Sequence, residues 1–160
     1  MKYVLILSIG TAVILMLAGC ASNPIAISSV GPGLPKHTLE NADGYLRVFS
    51  DTEAHEIGDN TYYYLHTGYN IYDDSGKQVR YVSNHVGTMD ESPTLVALPA
   101  GNYKVVAESA SYGRLTVPVL IQAGKTTLVH LNRDGIADPN TPTNELVRLP
   151  DGEIIGWMAP

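Results

Sequence analysis

Several residue types are scarce in this chain. It has a single cysteine, Cys20, and one phenylalanine and one tryptophan among 160 residues. With one cysteine no internal disulfide can form, so a folded domain must be stabilised by its apolar core. Lys and Arg together number ten and form no cluster, which argues against nucleic acid as a partner because phosphate binding needs grouped cations. No window from residue 44 onward shows the apolar stripe of an amphipathic helix.

Motifs for covalent or zinc catalysis are also missing. There is no Gly-x-Ser-x-Gly nucleophile motif, and the histidines show neither H-x-H nor H-E-x-x-H spacing. The five histidines are His37, His55, His66, His85 and His130. Adjacent acids at 73–74 and 90–91 could serve glycoside hydrolysis, but neighbouring carboxylates in turns are usually only solvated. We therefore expect no enzymatic activity, no cofactor and no metal.

What is present begins at the amino terminus. Lys2 is followed by an apolar run from Tyr3 to Leu17 that only Ser8, Gly10 and Thr11 interrupt. A basic start, a short apolar run and small residues before a cut are typical of a secretory signal. The run of about 15 residues is short for a membrane span, which needs roughly 20. An ordinary signal peptide with an incidental cysteine, or an uncleaved anchor, are the alternatives.

The residues that end this run, Leu17-Ala18-Gly19-Cys20, resemble the lipobox of bacterial lipoproteins. The resemblance implies that the Cys20 thiol takes a diacylglycerol, that cleavage precedes it, and that the new amino group is acylated. Two or three acyl chains, at about 0.8 kcal/mol per buried CH2, hold a protein stably on a bilayer. Ala21, where an Asp would favour inner-membrane retention, points to the outer membrane if the source is Gram-negative.

The sequence divides into five predicted segments. Residues 1–19 form the signal, and their removal takes one Lys and no acid, leaving nine basic and 16 acidic residues and a formal charge of −7. The lipidated Cys20 and a flexible tether occupy 20–43, although Ile25, Ile27 and Val30 could instead form a first edge strand. A β-sandwich domain follows at 44–132, then a linker at 133–144. The last segment, 145–160, is a hairpin that adds strands to a sheet edge or packs Trp157 over an open end of the sandwich.

Four short loops that end in glycine predict antiparallel β structure. They are 74–76, 99–101, 122–124 and 150–152. Each fits a three-residue hairpin loop in which Gly takes the left-handed conformation. The pairs expected from these loops are Asp73–Lys77, Ile71–Val79, Tyr69–Tyr81, Leu65–His85, Ala97–Tyr103, Leu95–Val105, Val119–Thr127, Val117–Val129, Leu115–Leu131 and Val147–Ile155. The sequence therefore predicts an all-β, antiparallel sandwich of seven to nine strands in two sheets.

Part of the domain resembles a known group of modules. The residues 98–105 (LPAGNYKV), Tyr112-Gly113 and 119–124, with the strand to Leu131, are similar to carboxypeptidase regulatory-like and PEGA-type modules. The upstream segment 72–77 resembles the hairpin that often opens them. The resemblance covers about residues 65–132. It implies a transthyretin-like Greek-key sandwich and a non-catalytic, accessory role at the cell surface.

An aromatic cluster is the predicted binding surface. In a long strand predicted at 62–73, alternation places Tyr62, Tyr64 and His66 on one face and turns Tyr63 and Leu65 to the core. Stacked tyrosines can bind a sugar ring, as in a carbohydrate- or peptidoglycan-binding module, or an envelope protein. The alternative is that both faces are buried, one of them under 51–60, a predicted loop or helical turn. The same registers place His66 outward and His85 inward.

One segment partly matches a calcium loop. Asn132, Asp134 and Asp138 supply oxygen side chains around Gly135, which would permit a sharp turn. However, His130 occupies the first ligand position and Thr141 the closing one. Asp-Gly and Asn-Pro are also ordinary turn formers. The segment is therefore a weak calcium candidate.

A further alternative for the whole protein is a role as a subunit of an envelope or secretion assembly, but no motif in the sequence supports it.

Overall fold

The computed structural model describes residues 25–31, 43–132 and 146–157, with only the backbone of the last residue, Trp157. Within these ranges the protein is all-β, as predicted, with eleven strands rather than seven to nine. The strands are β1 (Asp43–Phe49), β2 (Thr52–Glu56), β3 (Tyr62–His66), β4 (Tyr69–Asp73), β5 (Gln78–Val82), β6 (Leu95–Pro99), β7 (Gly101–Ser109), β8 (Gly113–Ile121), β9 (Thr126–His130), β10 (Leu146–Arg148) and β11 (Ile154–Trp157). The larger count reflects the division of one predicted strand and an unpredicted strand, β2.

Two sheets form the sandwich. The first has the order β6-β1-β9 and the second the order β5-β4-β7-β8. Neighbours are antiparallel except β1 and β9, which are parallel. The prediction of antiparallel pairing is therefore confirmed apart from that pair.

The core lies between the two sheets. It follows from strict alternation, since every second residue of β1 and of β8 is buried. The most completely buried members include Leu46 and Val48 of the first sheet and Ile71, Val105 and Val117 of the second. Such β-branched and aliphatic side chains pack well on pleated surfaces, and their burial is the main stabilising contribution in a chain with no disulfide.

Two of the four glycine-ended loops do not form hairpins. The loops 99–101 and 122–124 carry the chain from one sheet to the other, because β6 and β9 pair with β1 whereas β7 and β8 pair with each other. The predicted pairs across these loops, such as Ala97–Tyr103 and Val119–Thr127, are wrong. Gly124 does take the left-handed conformation, with φ 70°, whereas Gly101 does not. The turn chemistry reverses the chain locally, but the partner strand is selected by the core.

The other two loops form hairpins, as predicted. Asp73 donates its N–H to the Lys77 carbonyl at 3.0 Å, and Leu149 does the same to Glu153 at 2.9 Å. Each hairpin then contains a bulge that shifts the register by one residue. The observed pairs are therefore Ile71–Arg80, Tyr69–Val82 and Val147–Gly156, in place of Ile71–Val79, Tyr69–Tyr81 and Val147–Ile155. The first bulge turns Val82 into the core and leaves Tyr81 exposed.

The strand predicted at 62–73 is two strands. The chain leaves the first sheet after β1, runs out along β2, returns along β3 and enters the second sheet at β4. Residues 52–56 thus form a strand rather than the predicted loop or helical turn, and Leu65 pairs with Glu53 instead of His85. We call the β2–β3 pair, with its tip at 57–61, the ribbon. Within the described residues, its two strands hydrogen-bond as a sheet only to each other.

Residues 25–31 and the carboxy-terminal hairpin lie against the same side of the sandwich. Val30 forms an isolated parallel bridge with Val119 on β8 and is 1% exposed, so the segment 25–31 touches the sheet edge at this residue without forming a strand. A Cβ at Gly156 of the hairpin would collide with Val30 and lie 3.1 Å from the Leu128 carbonyl of β9. Val147, Leu149 and Ile155 of the hairpin are in the core. The predicted signal, Cys20 and the linker 133–144 lie outside the described residues.

Candidate functional site

The ribbon carries the predicted aromatic face. Tyr62 and Tyr64 are 50% and 56% exposed, Tyr63 is half-buried and Leu65 is buried. Opposite them on β2 stand Glu56 and Ala54, which are themselves exposed. The alternative that both faces of this strand are buried therefore does not hold for the two tyrosines.

His66 does not share that exposure. It is 6% exposed, so its predicted outward orientation is wrong, and His85, predicted inward, is half-buried. The physical reason is its place at the base of the ribbon, where the two strands meet the sandwich. There the His66 ring lies edge-on to Phe49, with ring centroids 5.8 Å apart. The exposed part of the predicted face is thus Tyr62 and Tyr64.

A buried polar cluster holds the base of the ribbon, and we call Ser50, His66 and Asn84 the junction. His66 Nδ1 lies 2.7 Å from the Ser50 carbonyl, which can only accept, so Nδ1 carries the proton. The Ser50 hydroxyl donates to the Thr67 carbonyl at 2.7 Å. The Asn84 amide donates to the Val48 carbonyl at 2.9 Å and to the Ser50 hydroxyl at 2.8 Å. Each of these bonds joins chain segments far apart in sequence, so the junction fixes where the ribbon leaves the sandwich.

Asn84 also positions the segment 83–94, which runs from β5 to β6. Its Oδ1 accepts the Thr94 N–H at 3.2 Å, and its backbone has φ 69°. Asparagine tolerates that left-handed conformation better than most residues. Glu91, in the same segment, accepts the backbone N–H of Tyr64 at 2.7 Å through Oε1. The edge of the ribbon is therefore attached to this loop by a charge-assisted hydrogen bond.

Phe49 links the junction to β9. Its ring stacks on His130 with centroids 4.4 Å apart and planes 7° from parallel. Burial, and to a lesser degree the neighbouring His66, lower the pKa of His130 from its ordinary value. Both causes disfavour the imidazolium. The stack is thus most stable with His130 neutral.

Two clefts flank the ribbon. One, of about 410 Å3, is lined by residues that include Glu53, His55, Tyr81 and His85. The other, of about 430 Å3, is lined by Thr52, Tyr64, His66, Glu91 and Asn132. Tyr81 lies across Gly68, where a Cβ would collide with the tyrosine hydroxyl. Gly68 thus leaves room for the Tyr81 ring at the wall of the first cleft, where that ring remains largely exposed.

The weak calcium candidate is only partly within the described ranges. Asn132 is half-buried and lines the second cleft, whereas Asp134 and Asp138 lie outside the described residues. Over residues 25–31, 43–132 and 146–157, no group of three or more His, Cys, Asp or Glu side chains is placed to hold a metal ion. No described helix is long and apolar enough to cross a membrane.

Sequence reasoning missed the junction and the loop that positions the ribbon. Ser50 and Asn84 carry no motif, and their role depends on contacts 17 to 36 residues away along the chain. The one local signal was Asn84 itself, since asparagine is enriched at left-handed positions. Comparison with protein-family models, with curated proteins and with solved structures found no match for this chain.

Proposed function

We propose that the protein is an exported lipoprotein of the bacterial envelope, anchored by lipid at Cys20. In this proposal its β-sandwich domain is a non-catalytic binding or structural module. The observation that carries the proposal is the sequence Leu17-Ala18-Gly19-Cys20, placed directly after a basic start and a short apolar run. Because Cys20 is the only cysteine, its lipidation would leave no thiol for a disulfide or for catalysis. Ala21 favours the outer membrane in a Gram-negative source.

The exposed tyrosines support a binding role over a purely structural one. Tyrosine contributes large contact area at low conformational entropy, and it is enriched where proteins bind partners. Tyr62 and Tyr64 are both about half exposed, on a strand pair that stands outside the two sheets. The core of the sandwich gains nothing from their exposure.

Lipidation is tested by the intact mass of the mature protein extracted from membranes. The full chain is expressed in a bacterium together with a Cys20→Ala variant. We expect a mature chain that begins at Cys20 and carries a diacylglycerol and an additional acyl group, and an unlipidated Cys20→Ala protein. A wild-type protein with a free Cys20 thiol, or with residues 1–19 still attached, would refute the proposal.

A second candidate is carbohydrate or peptidoglycan binding, and the exposure of Tyr62 and Tyr64 favours it. Exposed aromatic rings stack on the apolar faces of sugars. It is tested by sedimentation of the protein with purified peptidoglycan and by a glycan array. Tyr62→Ala and Tyr64→Ala should each weaken binding, whereas Tyr45→Ala, on the first sheet, should not. Equal retention of all three variants would exclude this candidate for the ribbon.

A further inference from the structure

Among the described residues, the net negative charge is concentrated at the end that carries the ribbon. We define the acidic end as residues 51–66 and 83–94. These two segments contain no Lys or Arg, and their six acidic residues are Asp51, Glu53, Glu56, Asp59, Asp90 and Glu91. The described Lys and Arg residues lie outside these segments, on the sandwich or, for Arg148, on the carboxy-terminal hairpin; they are Arg47, Lys77, Arg80, Lys104, Arg114, Lys125 and Arg148. The acidic end therefore carries as many formal negative charges as the net charge of the whole chain, −6, with no Lys or Arg in its own two segments.

The same end carries exposed apolar side chains. Besides Tyr62 and Tyr64, the residues Val86 and Met89 of the segment 83–94 are among the most exposed large apolar residues of the described chain. Aromatic residues and Met are enriched in protein interfaces, and the strongest contributions come from such anchors. An acidic surface with apolar anchors is typical of a docking site for a protein.

This surface is held in place before any partner arrives. The Glu91 carboxylate accepts the Tyr64 N–H at 2.7 Å, so the ribbon and the segment 83–94 are joined. Asn84 connects that segment to the sandwich through the Val48 carbonyl and the Thr94 N–H. Rigidity of this kind reduces the entropy lost on binding and therefore favours affinity.

We infer that the acidic end docks a segment of a partner protein in which Lys or Arg stands beside large apolar side chains. Six carboxylates with no Lys or Arg in their own two segments repel anionic lipid headgroups and nucleic acid, and they add nothing to stacking on a neutral sugar. A basic protein segment satisfies both the charge and the apolar anchors. The cleft of about 410 Å3 adds a place for one cationic side chain, because Glu53 and the exposed Tyr81 both line it. The inference rests on the proposed function in one respect: export to the envelope determines the compartment in which the protein meets this partner.

The test is photo-crosslinking from the full-length protein in the cells that make it. A benzophenone amino acid replaces Tyr62, and in a matched control it replaces Tyr45, which is also partly exposed but lies on the first sheet. We expect a protein adduct from position 62 and none from position 45. The crosslinked peptide should contain Lys or Arg within a few residues of an apolar attachment point.

Charge is tested by matched reversals. One double variant, Glu53→Lys with Glu56→Lys, reverses two charges at the acidic end. A matched double variant, Asp43→Lys with Asp74→Lys, changes the net charge by the same amount at the other end of the strands. The first pair should lower the adduct yield from position 62 about tenfold, and the second should leave it unchanged. Raising the salt from about 0.1 M to about 0.5 M should also lower the yield.

Four results would overturn the inference. They are no protein adduct at position 62, an adduct with a glycan or lipid, a partner peptide without cations, and a yield that responds equally to both reversals. The lipidation state of wild-type Cys20 and the adduct from position 62 are separate measurements, so the two proposals can fail independently. If wild-type Cys20 proves unlipidated but the position-62 adduct forms with its charge dependence, the anchor fails and the docking surface stands. If Cys20 is lipidated and no adduct forms, the docking surface fails alone.

Discussion

The sandwich and the ribbon are built on different principles although both are β structure. In the sandwich, strands such as β8 bury every second side chain against a facing sheet. In the ribbon, β2 is exposed along most of its length, and only Leu65 and His66 at the base of β3 are buried. The comparison indicates that stability resides in the sandwich, and that the ribbon is available for binding.

The largest expected effect is the loss of stability when a side chain is shortened to alanine, which should differ between the sandwich and the ribbon. Ile71 is fully buried in the sandwich, and Ile71→Ala should lower the free energy of unfolding by about 3–4 kcal/mol because it leaves a cavity. Tyr62→Ala on the ribbon should change it by no more than about 0.5 kcal/mol. Urea unfolding followed by circular dichroism measures both. Equal losses from the two variants would remove the distinction between the regions.

The next largest effect is expected at the junction, where the ribbon meets the sandwich. Asn84→Ala leaves the Val48 carbonyl and the Thr94 N–H without this partner and puts at φ 69° a residue that tolerates this backbone less well than asparagine. We expect a loss of about 2–4 kcal/mol in unfolding free energy. Asn84→Gly removes the same amide but tolerates the backbone, and it should lose about 1 kcal/mol less. If both variants unfold at the wild-type urea concentration, the junction does not hold the ribbon.

A smaller effect is expected from pH, through the stack that links the junction to β9. Because the pKa of His130 is lower in the folded protein than in the unfolded chain, the unfolded chain binds the proton first as the pH falls. The contribution of His130 to the free energy of unfolding is therefore complete above the ordinary histidine pKa of about 6.5. It is lost as the pH falls toward the lowered pKa of His130 in the folded protein.

The measurement is the urea midpoint from pH 8 to pH 5. The wild-type midpoint should fall over this range, and His130→Gln should show a flatter profile. Identical profiles for the two proteins would mean that His130 does not contribute to the pH dependence.

The smallest effect concerns the sandwich core and has the opposite sign. Tyr69 is 1% exposed, and its hydroxyl is buried with no hydrogen-bond partner among the described residues. Burial raises the pKa of Tyr69, so the phenol stays neutral. Tyr69→Phe removes the unpaired hydroxyl and should leave the melting temperature equal or raise it, with a gain of up to about 1 kcal/mol. A clear loss of stability would show that the hydroxyl has a partner.

The sequence was most informative where a structure depends on neighbouring residues. The hairpin at 74–76 follows from Asp73, whose carboxylate accepts from the Ser75 hydroxyl and the Lys77 N–H, and from Gly76 with φ 82°. These bonds also lower the pKa of Asp73, the Ser75 hydroxyl most strongly. Alternation likewise placed Tyr62 and Tyr64 on one face of the strand, although it left open whether that face is exposed or buried.

The sequence was least informative where a structure depends on distant contacts. Gly124 has the turn conformation of a hairpin, yet β9 pairs with β1, where the opposed residues Leu46 and Thr127 are 81 residues apart in the sequence. The bulge that exposes Tyr81 and the burial of His66 also depend on partners outside their own strands. Local chemistry therefore predicts turns and faces, whereas the core decides which strands become neighbours.

The central claim is that the sandwich stands without the ribbon, and one shortened protein tests it. Residues 54–64 are replaced by Asn-Gly, which joins Glu53 to Leu65, a directly opposed pair that a two-residue turn can close. The measurement is equilibrium urea unfolding of this variant beside the wild type. The account predicts one cooperative transition and a free energy of unfolding within about 1 kcal/mol of the wild-type value. Loss of the cooperative transition would contradict it, because the ribbon would then be part of the folding core.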